Sequence, residues 1–465
     1  MYNSSIREGM MLFERIVSEG ISHNSYLIGS NGRAAVIDPR RDCDIYLRIA
    51  SRNKLAITHI FETHRNEDYV IGSLELKERC GAEIYHGAQL AFAYGNPIRE
   101  GDRFPLGSLE FHVLETPGHT EESVSLALYD REISDRPYMI FCGDTLFSGA
   151  IGRTDFFGQE RKAEMAAKIY DSISKKILPL GDGVIVCPAH GAGSICGSDI
   201  ADHPFTTVGY EKETNRELGQ GHESFISQRS AESPYYPPYF RQMERDNLEG
   251  AQILHRLPDL KELSIAEVNR LRKSGCQIVD IRSPTSFGGG HIPGSISIWR
   301  EGIPSFIGWF LDYQRPVIIV DDFNLDLVAV LSHFIRQGYD TIAGVLSGGF
   351  PLWTKAAQDI GTIQTCSVRQ LKERLEKESP FILDVRDIKN WHSVGHIRGA
   401  HHIYIGELPQ HLGEIPKNEP VVVYCDAGFK GSLAASILAN NQYHAVTNVL
   451  GGMTAWKNAG YRIEK

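Results

Sequence analysis

Apolar residues in the first half of this chain come in short blocks with strand-like spacing. SYLIGSNGRAAVIDP (residues 25–39) is two apolar strands around an Asn-Gly pair, a strong hairpin signal. Further blocks follow in LAITHIFETH, GAEIYHG, SLEFHVLETPGH, ESVSLALYD, YMIFCGDT and GVIVCPAHG. Helical patterns such as YVIGSLELKERC lie between several of them, which predicts a strand-rich domain with interspersed helices. GHESFISQRSAESPYYPPYFRQMERDN is too polar and too rich in Pro and Tyr for a core, yet too aromatic for a free linker. It reads as a tail packed on the first domain, ending near Leu257.

The second half repeats itself. VDIRSPTSFGGGHIPGSISI, from Val279, matches LDVRDIKNWHSVGHIRGAHHI, from Leu383, and GVLSGGFPLW matches NVLGGMTAW. Asp280 and Asp384 are 104 residues apart, His291 and His396 105, Trp353 and Trp456 103. Each copy alternates short strands (QIVDI, PVIIV; FILDV, PVVVY) with helices (LDLVAVLSHFIRQ; GSLAASILANN), which predicts a parallel sheet covered by helices on both faces.

The composition narrows the function. With 465 residues and 42% hydrophobic content, the chain is long enough for about three domains, each with its own core. Lys and Arg number 48 against 58 Asp and Glu, a net charge of −10 that argues against a nucleic-acid partner. No apolar run approaches the ~18 residues of a membrane span, and MYNSSIREGMMLFERIV does not read as a secretory signal. Eight cysteines without CxxC pairs fit reduced thiols in the cytoplasm better than a disulfide framework.

His64, His119, Asp144 and His190 each follow an apolar strand-like block. Four metal-binding side chains at four strand ends can converge at one sheet edge, so they predict a metal site. HxHxDH after a strand, with later His, Asp and His, is the pattern of the metallo-β-lactamase fold, and the chain resembles that family over roughly residues 10–250. Here the motif reads His64-Arg65-Asn66-Glu67-Asp68-Tyr69, with amide and phenol in place of the second and last histidines. Such side chains are poor ligands for a soft divalent metal, which argues against a full two-zinc site.

In the family's persulfide dioxygenase branch, a single iron is held by the positions matching His64, His119 and Asp144. The resemblance therefore implies one Fe(II) per chain, with zinc as the alternative. Two imidazoles and a carboxylate with open positions are the ligand set of non-haem Fe(II) oxygenases. Asp68 and His190 match second-metal positions; in a one-metal site they orient ligands or a bound water, or simply satisfy loops as buried polar groups. Arg153, in GRTDF, either holds the carboxylate or phosphate of a thiol carrier or locks its own turn through Asp155. Cys196, six residues beyond His190 on a Gly-rich loop, is a candidate sulfur relay or a small buried apolar residue.

The D-x-R, GHI-x-G and LxGG…W pattern of the repeat resembles the rhodanese fold. Rhodaneses carry a cysteine after the central strand, and VVVYCDAGFKGSLAASIL places Cys425 there. The loop Asp426, Ala427, Gly428, Phe429, Lys430 and Gly431 would cradle its sulfur with backbone N–H groups, with a helix opening near Ser432, and would depress the thiol pKa. Gly431 reads as lengthening that loop by one residue. In the first copy Asp321, followed by Asp322, stands 104 residues before Cys425, so that copy is a pseudo-rhodanese that carries no sulfur. Asp280–Arg282 and Asp384–Arg386 occur in both copies and read as ion pairs holding the fold, as do His291 and His396; Trp353 and Trp456 read as core anchors.

The expected architecture is a multidomain α/β chain. An αββα metallo-β-lactamase fold (1–257) precedes two α/β rhodanese-like domains with parallel sheets (258–360 and 361–465). The resemblance implies a persulfide dioxygenase that forms sulfite from a glutathione or coenzyme A persulfide and O2. Cys425 would then pass sulfane sulfur to sulfite, giving thiosulfate in sulfide detoxification, in a homo-oligomer. Two alternatives stand beside it: a metal-dependent thioesterase of the glyoxalase II type, and a Cys425 sulfur carrier with an inactive metal domain.

Overall fold

The Asn-Gly pair makes the hairpin its sequence calls for. Asn31 and Gly32 both take positive φ (46° and 80°), and Ser30 pairs with Arg33 across the turn. In the computed structural model, which describes residues 11–197 and 199–465, this hairpin lies in the first of four sheets. The chain divides into two units, one comprising the chain up to Leu257 with residues 335–338, the other the remainder from Pro258.

The first unit holds two six-stranded sheets. One runs β1 (Leu12–Ser18), β2 (His23–Ser30), β3 (Arg33–Ile37), β4 (Ala56–Phe61), β5 (Glu83–Gly87) and β6 (Asn96–Ile98) in spatial order. The other contains β7 (Arg103–Leu106), β8 (Leu109–Glu115), β9 (Val124–Asp130), β10 (Pro137–Gly143), β11 (Ile185–Pro188) and β12 (Thr206–Thr207). Alternation along the strands decides which side chains enter which layer. Tyr26 and Ile28 of β2 face Phe111, Val113, Leu126 and Phe141 of the second sheet, while Leu27 turns to the outer face against Tyr46 and Ala50 of the helix Asp44–Arg52. Ile140 and Cys142 of β10 likewise turn outward, against Ala166 and Ile169 of the helix Lys162–Ser172. The result is helix, sheet, sheet, helix. The polar tail is not irregular: it forms the helices His222–Ala231 and Phe240–Glu249, with Phe225 and Phe240 buried.

The second unit holds two five-stranded, all-parallel sheets. In the first, β13 (Glu262–Leu263), β14 (Gln277–Asp280), β15 (Ile296–Ser297), β16 (Val317–Val320) and β17 (Ile342–Leu346) lie in the order β13-β17-β16-β14-β15. β18 (Gln364–Ser367), β19 (Phe381–Asp384), β20 (Ala400–His402), β21 (Val421–Tyr424) and β22 (Val446–Leu450) repeat it as β18-β22-β21-β19-β20. Even the register repeats: Gln277 pairs with Val317, and Phe381 with Val421. Each copy starts its first helix with a capping box, Ser264 with Glu267 and Ser367 with Gln370. Trp353 and Trp456 are buried, and each Nε1 donates to the carbonyl six residues on, Asp359 at 2.9 Å and Arg462 at 3.0 Å. No helix among the described residues is long and apolar enough to cross a membrane.

Candidate functional site

β4, β8 and β10 end in the loops that carry His64, His119 and Asp144. These side chains are buried, and one ligand atom from each lies within 4.8 Å of the others. Hydrogen bonds fix which atoms point inward. Thr63 Oγ1 donates to Asp38 Oδ2 (2.7 Å), so its 2.9 Å contact with His64 Nδ1 is one it accepts, and the ring proton sits on Nδ1. His119 Nδ1 donates to the Arg153 carbonyl (2.9 Å), which can only accept. Asp144 Oδ1 accepts from His190 Nδ1 (2.7 Å).

What remains is His64 Nε2, His119 Nε2 and Asp144 Oδ2, all buried and none with a hydrogen-bond partner. Buried polar atoms are rarely left so, and three aimed at one point fit a bound cation. Burial holds His64 down to about pKa 3, so its lone pair is free at neutral pH. Burial also pulls His119 down, but Glu67 and Asp144 outweigh it and raise it; at Asp144 burial is outweighed by His190, His64 and His119, which hold it low.

A second group adjoins the first. Asp68, His190 and Cys196 are buried with ligand atoms within 4.8 Å of one another. His190 Nε2 lies 3.0 Å from Asp68 Oδ2 without hydrogen-bond alignment. Burial opposes charge on His190, yet Asp144 and Asp68 raise its pKa well above the usual value. Cys196 is fully buried against Phe147, Ala150 and Ile200, and burial, with Asp68 and Asp144, pushes its thiol up. Arg153 takes the turn-locking arrangement: Nε and Nη2 grip Asp155 at 2.7 Å each, and Nη1 and Nη2 reach the carbonyls of Ile195 and Tyr235. Its carbonyl orients His119, and a Cβ on the preceding Gly152 would lie 1.8 Å from the Asp144 carbonyl oxygen.

In the second unit, Cys425 directly follows β21, and its Sγ accepts from the Gly428 N–H at 3.1 Å. The helix opens at Phe429, directly after Gly428 in the left-handed region (φ 97°), and not near Ser432. Gly431 therefore belongs to its first turn and does not lengthen the loop. A Cβ there would meet Asn448 Oδ1 at 2.3 Å, a side chain that itself donates to the Gly428 carbonyl. The expected depression of the thiol pKa is overturned as well. Cys425 is 1% exposed, and this burial raises its pKa against the pull of the Gly431, Ala427 and Gly428 N–H groups and Lys430. Lys430 pairs with Asp426 at 3.2 Å.

The crystal structure of a metallo-beta-lactamase from Staphylococcus aureus subsp. aureus COL is 31% identical to this chain, with a TM-score of 0.65. The match covers 73% of this chain, more than the first unit alone, and 99% of the other. The family model for the metallo-beta-lactamase superfamily matches residues 19–190, and the rhodanese-like domain model matches 264–356 and 367–459. The chain belongs to the metallo-β-lactamase superfamily, fused to two rhodanese-like domains. Hydroxyacylglutathione hydrolase GloC of Haemophilus influenzae is 27% identical over 218 residues, 42% of this chain and 98% of its own. The hydroxyacylglutathione hydrolase of Hahella chejuensis is 39% identical over 158 residues, 34% of this chain and 56% of its own.

Beside the metallo-β-lactamase ligand positions stand two residues that sequence reasoning passed over. Glu67 is wholly buried, neither oxygen has a hydrogen-bond partner, and Oε2 lies 3.5 Å from His119 Nε2. A carboxylate between two other motif positions was the available signal. Asn247, in the polar tail, donates to the carbonyls of Asn66 (2.7 Å) and Tyr69 (2.8 Å) and accepts from the Ile71 N–H, clamping the motif loop. Nothing local to Asn247 announces that role.

In the rhodanese-like copies, Arg282 and Arg386 each bond the aspartate two residues back and a loop carbonyl, Gly290 or Gly395, at 2.7 Å. His291 stacks on Phe287 and His396 on Trp391. Asp321 pairs with Arg300 at 3.2 Å and Asp322 with Arg282 at 3.4 Å.

Proposed function

We propose that the first domain is a non-haem Fe(II) persulfide dioxygenase, working in the cytoplasm with the Cys425 domain as a sulfurtransferase. The observation that carries this reading is the trio of buried, unpartnered donors, His64 Nε2, His119 Nε2 and Asp144 Oδ2, beside a motif whose other histidines are Asn66 and Tyr69. These three donors would hold Fe(II), which would supply the redox chemistry between O2 and an anionic persulfide. The chain's own part is orientation. Thr63 and the Arg153 carbonyl set the two rings, and His190 fixes the Asp144 carboxylate.

Overall, one persulfide, one O2 and one water give the free thiol, sulfite and two protons. In the transfer, the Cys425 thiolate attacks the terminal sulfur of a second persulfide, breaking its S–S bond and releasing the carrier thiolate. Sulfite then attacks the outer sulfur on Cys425, leaving thiosulfate and the thiolate. The Gly428 N–H, already on the sulfur, holds that anion. Placing both activities on one chain raises the effective concentration of sulfite at Cys425.

The test is O2 uptake by anaerobically purified protein given glutathione persulfide or coenzyme A persulfide. Uptake that disappears in His64→Ala supports the reading and ranks the carriers; no uptake from iron-loaded protein overturns it. A thioester hydrolase is the second reading, favoured by the two hydroxyacylglutathione hydrolases above and by the Asp68–His190–Cys196 group, which offers donors for a second metal. Steady hydrolysis of an acyl-glutathione by the zinc-loaded protein would establish it.

A further inference from the structure

The pseudo-rhodanese copy has no part in the chemistry above, yet one edge of it lies along the helix Phe429–Asn440 that opens beside Cys425. That helix is buried without a break from Gly431 to Leu438, because it packs on β21 and β22 of its own sheet and on β15 of the other copy. Phe429, Ser432, Ser436 and Asn440 fall on one stripe at helical spacing. The pseudo-rhodanese meets this stripe in reverse order. Asn440 Nδ2 donates to the Ser295 carbonyl at 3.1 Å, and the Ser297 N–H donates to Ser436 Oγ at 3.1 Å. The hydroxyls of Ser297 and Ser432 share a buried hydrogen bond at 2.9 Å. At the loop end, the rings of Trp299 and Phe429 lie 5.1 Å apart, tilted by 52°.

Trp299 is itself held from behind. Phe306 packs on its ring at 5.4 Å, and a Cβ on Gly302 would meet that ring at 2.7 Å. Phe429 directly follows Gly428, whose N–H reaches Cys425 Sγ. The matching loop of the pseudo-rhodanese shows the contrast: Leu325, 104 residues before Phe429, is 66% exposed, against 39% for Phe429.

We propose that the pseudo-rhodanese is a positioning partner for the sulfur loop, and that Trp299 is its positioning residue, holding Phe429 and with it the loop closed over Cys425. The proposal builds on the reading of Cys425 as the sulfur carrier, but its test does not need sulfur to move. The rate of Cys425 alkylation by iodoacetamide, resolved by peptide mass spectrometry, is measured in the full chain at fixed pH. An aromatic pair of this kind is worth about twofold to tenfold in an equilibrium, so Trp299→Ala speeds alkylation of the buried sulfur by about that factor. Trp299→Phe keeps a ring and restores the slow rate, and Asn440→Ala, at the far end of the stripe, leaves the rate unchanged.

The Trp299→Ala effect vanishes in a Phe429→Ala background, and buried Cys276 in the pseudo-rhodanese alkylates at its original rate throughout. A folded Trp299→Ala protein with unchanged Cys425 reactivity overturns the proposal. So does an effect that persists without Phe429, or one that Cys276 shares, since that marks general loosening. Should Trp299→Ala fail to fold, Trp299→Leu carries the same comparison. Failure of Cys425 to take up sulfur from a persulfide defeats the carrier reading alone, and leaves the alkylation result to decide the positioning role.

Discussion

The two rhodanese-like copies are the same frame with different ends. Each has five parallel strands in the same order, a buried Asp–Arg pair gripping a loop carbonyl, and a tryptophan tied to the carbonyl six residues on. Even the strand-end carbonyls are held alike: Asp321 O accepts from Phe350 N and Cys425 O from Met453 N, both at 2.8 Å. Gly349 and Gly452, at φ 63° and 48°, allow that approach; a Cβ on either would lie about 2 Å from a carbonyl oxygen of the strand-end loop. The copies part in the next few residues. After Cys425 the chain turns at Gly428 and enters a helix at Phe429, whereas after Asp321 it passes through Asn324 and Asp326 at positive φ before its helix begins at Leu327. The lesson is that the frame is maintained by packing and buried polar pairs, while the chemistry depends on a short loop that can change without disturbing them.

That comparison can be broken most sharply at the strand ends. On the proposed function, Cys425→Ser is expected to abolish thiosulfate formation, measured by chromatography, while O2 uptake continues, and Asp321→Ala is expected to change neither. Loss of both activities in Cys425→Ser would instead indicate one cysteine-centred reaction. The shared frame predicts matching losses of stability: Asp280→Ala and Asp384→Ala each strand a buried arginine and cost about 3–5 kcal/mol in denaturant unfolding. If only the active copy suffers, the pair in the pseudo-rhodanese is not holding its fold. The smallest effect is expected at Lys430, half-screened by solvent and paired with Asp426. Removing its charge in Lys430→Gln disfavours the thiolate, so the pH midpoint of Cys425 alkylation rises and the rate at neutral pH falls by less than about threefold.

Much of this was legible in the sequence. The repeat offsets of 103 to 105 residues gave the second unit its two copies, and strand-end His64, His119 and Asp144 marked the metal centre because period-2 blocks show where strands stop. Arg153 drew notice for its side chain, but its carbonyl and the absent Cβ of Gly152 do the orienting, and backbone roles leave little trace in residue type. Asn247 lies 181 residues from Asn66, a contact only the fold creates. The helix start was misplaced because Gly428 permits the turn into it three residues earlier than Ser432 suggested. The Cys425 thiol was misjudged for a related reason: N–H groups can be counted along a chain, whereas burial by neighbouring elements cannot.

The central claim is that the first domain holds one iron through His64, His119 and Asp144. The most direct measurement is the metal content per chain of anaerobically purified protein, in the wild type and in His64→Ala. The account predicts about one iron per chain, lost on substitution at His64. Two zinc ions per chain would contradict it, fill the Asp68–His190–Cys196 group as well, and move the first domain to hydrolysis.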